Sequence, residues 1–219
     1  ARNFMLASQI IIFAQQYQHF TDYFVLKYIY FPSYCVDDTF YRSISVVRHQ
    51  WIKIADAPRT YLTSLNGPLY SNKLYGNGMI YADFSGPTRR TSGMLSIAYR
   101  VIISESDSIY MGLSMGGGIQ TFTIDQERLT FSMEDPLATR ISKDNFFDGI
   151  ASMSLISRLG TIAFSFYQIF YNRIELIEGT SNNKNRAERH ISIILNPQIN
   201  ITSLNSKISI YLLGKYVSP

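Results

Sequence analysis

At 219 residues, with no compositional shift that marks a linker, the chain fits one domain. Tyr and Phe are abundant, charged residues are scarce at 16%, and no run approaches the roughly 18 apolar residues of a spanning helix, which together favour a membrane β-barrel over a water-soluble globule. A formal net charge of +4 on scattered Lys and Arg excludes the basic stripe of a nucleic-acid binder, and a single cysteine, Cys35, excludes an internal disulfide.

Residues 1–14 read as the remainder of a secretory signal peptide. Arg2 supplies positive charge, Met5 to Phe13 form an apolar stretch broken by Ser8 and Gln9, and Ala14 precedes Gln15-Gln16. An ordinary N-terminal helix or strand is the alternative for the same residues. Residues 15–219 are then the barrel domain. Cys35 lies too far along to be a lipidated residue after cleavage, so it reads as a small buried side chain. From Tyr17 to Tyr34 the chain is dense in aromatics, costly to expose and too interrupted by Gln18, Asp22 and Lys27 to span a membrane as a helix. Such a segment suits a lumen plug or an interface.

A first strand is expected from about Thr39 to Trp51, with Ile44 and Val46 on one face and Ser43 and Ser45 on the other. Arg48 to Leu69 reads as two strands joined by a tight turn at Asp56-Ala57-Pro58, because proline fixes φ and removes a donor there. Arg48 and Gln50 fall on one side of the first strand, and His49 and Trp51 on the other. That pattern suits a barrel wall with a wet interior, and a soluble sandwich could use it too. Leu74 to Phe84 alternates Tyr75, Met79 and Tyr81 against Gly76, Gly78 and Ala82, and Gly86-Pro87 makes the next turn. The clearest strand follows, with Thr91, Gly93, Leu95, Ile97, Tyr99 and Val101 opposed to Ser92, Met94, Ser96, Ala98 and Arg100. Residues 104–108 form a polar turn, and Ile109 to Gln120 completes a hairpin. The charged stretch 121–145 is expected as a long rim loop. Strands near Phe147 to Ile156 and Gly160 to Tyr171, a polar loop at 179–188, and strands at His190 to Asn196 and Lys207 to Tyr216 close the series. The total is roughly nine strands, all antiparallel. Bacterial barrels mostly have even strand numbers and no open edge, so further C-terminal strands are expected beyond Pro219.

Chemistry is hard to place. His19, His49 and His190 are the candidate bases, and none sits near a nucleophile motif. Gly116-Gly117-Gly118 lacks the Lys and Ser/Thr of a phosphate loop, so close backbone approach explains it better. Asp125, Glu127, Glu134 and Asp135 miss the spacing of a calcium loop, and Asn200-Ile201-Thr202 is a chance sequon. No enzyme, metal or cofactor is expected.

The order of motifs resembles the PorP/SprF family of outer-membrane proteins from the type IX secretion and gliding systems of Bacteroidetes. Phe13-Ala14-Gln15-Gln16 looks like a signal end of that phylum, and Phe31-Pro32-Ser33-Tyr34 is similar to the family's Asn-Pro-Ala-Tyr element. Arg48-His49-Gln50-Trp51, Ala57-Pro58-Arg59-Thr60 and Asn66-Gly67-Pro68-Leu69 resemble its Arg-x-Gln-Trp, Ala-Pro-x-Thr and x-x-Pro-Leu series in order and spacing. Gly86-Pro87-Thr88-Arg89, Ala98-Tyr99-Arg100 and Arg189-His190 fall where similar elements belong. Phe31 and Cys35-Val36 depart from the usual Asn and Ala-Gly around Pro-x-Tyr. The resemblance covers nearly the whole chain and implies that the last quarter to third of a member is absent. It implies an outer-membrane barrel that binds secretion-system subunits and the C-terminal domains of secreted adhesins, with outer-membrane lipid around it. Arg48, Gln50, Trp51, Arg59, Arg89 and Arg100 are the candidate partner-contact or lumen residues, since inward or rim-placed Arg and Gln can pair with carboxylates and backbone. The competing function is a porin-like channel for small solutes.

Overall fold

The computed structural model describes residues 3–9, 25–106, 108–125, 142–170, 172, 189–201 and 206–218. Nine strands run as an antiparallel meander: β2 (Arg42–His49), β3 (Arg59–Tyr70), β4 (Leu74–Ser85), β5 (Thr88–Ser104), β6 (Ile109–Ile124), β7 (Ser142–Ser157), β8 (Gly160–Tyr167), β9 (Arg189–Ile201) and β10 (Ser206–Ser218). Each pairs with the next in sequence, and the sheet curls into a half-barrel. The stretch read as a leader contains β1 (Asn3–Gln9), which lies parallel along β10. Among the described residues no helix is long and apolar enough to cross a membrane, which says nothing of strands.

Alternation makes the wall two-faced. Along β5, Leu95, Ile97 and Tyr99 are exposed on the convex face while Met94, Ser96 and Ala98 are buried on the concave one. The hydrogen-bonded register carries this across the sheet. Ile97 lies opposite Met115, and Met115 opposite Ala151; Ser96 lies opposite Gly116. Exposed Ile80, Leu95, Met115, Phe147, Met153, Phe166 and Leu212 thus share an apolar exterior, while Ser64, Asn66, Asn77, Ser152, Ser154, Ser165, Ser192 and Asn196 are buried inside. On β6 the outward side chains run apolar or glycine from Met111 to Ile119. Nine residues span about 27 Å along the strand and roughly 20 Å at a barrel's tilt, close to the apolar band of an outer-membrane barrel.

Connections differ between the two rims. By sequence they are short at one end (71–73, 105–108, 158–159 and 202–205) and longer at the other (50–58, 125–141 and 168–188), where only Gly86-Pro87 is tight. Two sequence expectations need correction here. The hairpin turn is not confined to Asp56-Ala57-Pro58. It begins at Gln50, whose N–H donates to the Pro58 carbonyl at 3.0 Å, and Trp51 and Asp56 both take positive φ, so Gln50 and Trp51 belong to the connection and not the wall. Likewise residues 121–124 and 142–145 are strand, since Thr121 pairs with Asn145 and Ile124 with Ser142. Polar outward side chains at Thr121, Thr123, Lys143 and Asn145 hid that extension, which lies beyond the apolar band. The rim loop that remains, with Glu127, Glu134 and Asp135, lies outside the described residues, as do His19 and the loop at 179–188.

Candidate functional site

The concave face is filled. From Leu26 to Val36 every residue except half-buried Lys27 is buried, through the one-turn helix α1 (Lys27–Tyr30) and a 3-10 segment (Pro32–Asp37) that packs against β3 to β7. Pro32 at the start of the 3-10 segment suits it, since proline supplies the needed φ where no donor is missed. This is the aromatic stretch that the sequence marks as too costly to leave in water; its first part, 17–24, lies outside the described residues.

The plug explains why two strands invert the simple pattern. On β2, Ile44 and Val46 point inward and Ser43 and Ser45 outward; on β4, Tyr75, Met79 and Tyr81 point inward and Gly76 and Gly78 outward. These inward apolar groups pack on the plug as part of one core with Tyr30, Phe31, Tyr34 and Val36. A fully buried large apolar side chain contributes about 1.5–3 kcal/mol and a typical hydrogen bond about 1 kcal/mol, so burial holds the plug in and polar contacts set its register.

Those contacts come from almost every wall strand. The Ser33 N–H donates to Ser152 Oγ at 2.8 Å, and Ser154 Oγ donates to the Ser33 carbonyl at 3.0 Å. Asn77 Nδ2 donates to the Tyr28 carbonyl at 3.2 Å, Tyr167 donates to the Ile29 carbonyl, and Asn196 Nδ2 donates to the Tyr34 hydroxyl at 3.2 Å. At the plug's end, Asp38 gathers three donors: Arg42, with nitrogens at 3.0 and 3.2 Å, Asn66 Nδ2 at 2.9 Å and the Tyr28 hydroxyl at 3.2 Å. Tyr110 donates to Asp37. Arg100 donates to the Val36 carbonyl while its guanidinium lies 5.0 and 4.9 Å from the Tyr75 and Tyr110 ring centres. A side chain at Gly112 would strike the Ser33 carbonyl, Ser154 Oγ and Val36, so the wall needs glycine where the plug passes. Gly116 and Gly118 are hemmed in by the β5 backbone at Leu95 and Gly93, in line with the close-approach reading.

Electrostatics fit a sealed interior. Burial, with the Asp38 charge adding to it, pushes the Cys35 thiol up to about 12, and the same two causes raise the Tyr28 phenol. Cys35 is a fully buried small side chain, as the sequence suggests. Among the described residues no group of three or more His, Cys, Asp or Glu could hold a metal ion. His49 faces outward with Nε2 3.3 Å from the Tyr61 hydroxyl.

The six candidate residues divide into separate groups. Arg100 anchors the plug. Arg48 lies on the concave side, paired in register with buried Thr60, near the longer-loop rim. Gln50 is half-buried and Trp51 is 67% exposed in the 50–58 connection. Arg59 and Arg89 point outward, not into the lumen, at that same rim. Sequence reasoning did not single out Asp37, Asp38, Asn66, Asn77 or Tyr110. Their one local signal is a polar group at an inward-alternating strand position, or an acidic pair after the aromatic run.

A family model described as type IX secretion system membrane protein PorP/SprF matches residues 12–219, which leaves the whole of β1 outside the match. No curated protein and no solved structure matches the chain.

Proposed function

The chain belongs to the PorP/SprF family of type IX secretion system membrane proteins, and from that premise we propose that it is a non-enzymatic outer-membrane adaptor. It is exported through a signal peptide, sits among outer-membrane lipid with its apolar convex face, and binds secretion-machinery subunits and the C-terminal domains of secreted adhesins. Its task is their export and surface attachment, including those that serve gliding. In outer-membrane barrels the longer loops face outside, so the rim with Arg48, Gln50 and Trp51 is the cell-surface rim. The observation that carries the adaptor reading is the anchored plug: a concave face occupied by an aromatic segment bonded to β3, β4, β5, β6, β7, β8 and β9 supports docking at the rim over free passage of solutes. The test is an Arg48→Ala, Gln50→Ala double variant, scored for surface display of a secreted adhesin at equal levels of folded barrel. Display should fall several-fold, and undiminished display would sink the binding claim.

A further inference from the structure

Outside the lumen, the convex face carries a cavity with two arginines in its lining at the longer-loop rim. Arg59 pairs in register with Phe84 and Phe84 with Arg89, so two arginine positions flank one phenylalanine on the outward side of three adjacent strands. Tyr61 meets Phe84 edge-on at 6.1 Å and His49 edge-on at 6.3 Å. Together with Asp56, Ala57 and Gly86, these arginines and Tyr61 and Phe84 line a cavity of about 410 Å³. The 50–58 connection leans over it, tied down by the Gly86 N–H to the Asp56 carbonyl at 3.1 Å.

Two independent features of this place point to one occupant. The first is charge. Among the described residues no hydrogen bond or ion pair engages the Arg59 side chain, and Arg89 is 47% exposed with Asp125 only at 4.0 Å. Lys53 adds a third cation on the overhanging connection, against Asp56 in the lining. Arg presents a planar fork of donors matched to phosphate oxygens, and its stem can lie on apolar surface while the head reaches the interface. The second is the connection itself, which lines the cavity with Asp56 and Ala57 and exposes Trp51 at 67%, Ile52 at 80% and Ile54 at 59%. Large apolar side chains at a membrane rim cost free energy in water and gain it among acyl chains, and Trp favours the headgroup boundary.

Resting on the outer-membrane reading above, we infer that Arg59 and Arg89, with the overhanging 50–58 connection, bind the phosphate-bearing headgroup of an outer-leaflet lipid. The arginines take the phosphate, Phe84 and Tyr61 pack against the sugar, and Trp51, Ile52 and Ile54 pack at the headgroup boundary. A soluble anion would satisfy the first feature and leave the second unexplained.

The test uses detergent-extracted protein and native mass spectrometry with bisphosphorylated lipid A, its dephosphorylated form, and inorganic phosphate as competitor. The expected result is a retained lipid A adduct that weakens at least about tenfold on dephosphorylation or in the Arg59→Gln, Arg89→Gln double variant, and that phosphate does not displace. Equal binding by the variant, or full displacement by inorganic phosphate, overturns the site. Heat-modifiable gel migration of the same samples separates the two levels. A modifiable barrel without phosphate-dependent binding refutes this inference alone, and a band that never shifts refutes the membrane-barrel reading beneath it as well.

Discussion

Replacing Asp38 with alanine should loosen the plug without unmaking the wall. The Asp38 side chain is 7% exposed and accepts from Tyr28, Arg42 and Asn66. Without it, the Asn66 amide, at 1% exposure, and the Tyr28 hydroxyl lose their acceptor inside the core. An orphaned buried donor costs about 1–3 kcal/mol, so the two together cost about 2–6 kcal/mol. Arg42 adds little: its side chain is 37% exposed and can turn to water, where such a pair is worth about 0–1 kcal/mol. The loss should therefore come from the buried neutral partners and not from the ion pair. Hydrogen exchange of residues 26–38, followed with the urea midpoint of the heat-modifiable band, measures both effects. Faster exchange in the plug with near-native protection in β5 to β7 is expected, and Asp38→Asn, which keeps one acceptor oxygen, should show a smaller effect. Unchanged exchange in residues 26–38, with a stability change below about 0.5 kcal/mol, would refute the reasoning.

Other outcomes follow from the same geometry. Gly112→Val should drive a side chain into Ser33 and Val36, cost about 1–3 kcal/mol or more, and make the plug protease-sensitive; normal resistance would contradict the close passage. Met115→Arg, at the middle of the apolar span on β6 and 74% exposed, should destabilise the membrane-inserted barrel by about 2–4 kcal/mol, read from urea unfolding in lipid vesicles, while a neutral result would deny that this face meets hydrocarbon. The Cys35 thiol has its folded value raised from 9.0 to about 12, so its contribution to stability is whole below pH 9.0 and disappears as pH climbs toward 12. Maleimide should leave Cys35 unlabelled at pH 8 until the protein is unfolded, and prompt labelling of the folded protein would show that the plug is open.

The strands were legible because the bilayer side demands apolar residues at every second position. On β5 that demand reads directly from Leu95, Ile97 and Tyr99, and the expected set of nine antiparallel strands matches β2 to β10. Where the demand lapses, so does legibility: Thr121 to Ile124 and Ser142 to Asn145 are strand beyond the apolar band, where the outward positions Thr121, Thr123, Lys143 and Asn145 are polar. Parity also separates candidates that residue type alone had grouped. Arg89 shares the outward phase of Leu95 and Arg59 that of Tyr61, whereas Arg100 falls in the inward phase of Ser96 and Ala98. The plug's anchors had no such local trace. Ser33 meets Ser152 and Tyr34 meets Asn196 across 119 and 162 residues of chain, and neither partner announces the other.

Planar-bilayer recording of the purified protein tests the central claim, that the lumen is filled and serves docking and not passage. The plugged wall predicts little or no stable conductance in the wild type and openings in the Asp38→Ala and Gly112→Val variants. Large, steady, porin-like steps from the wild type would contradict it.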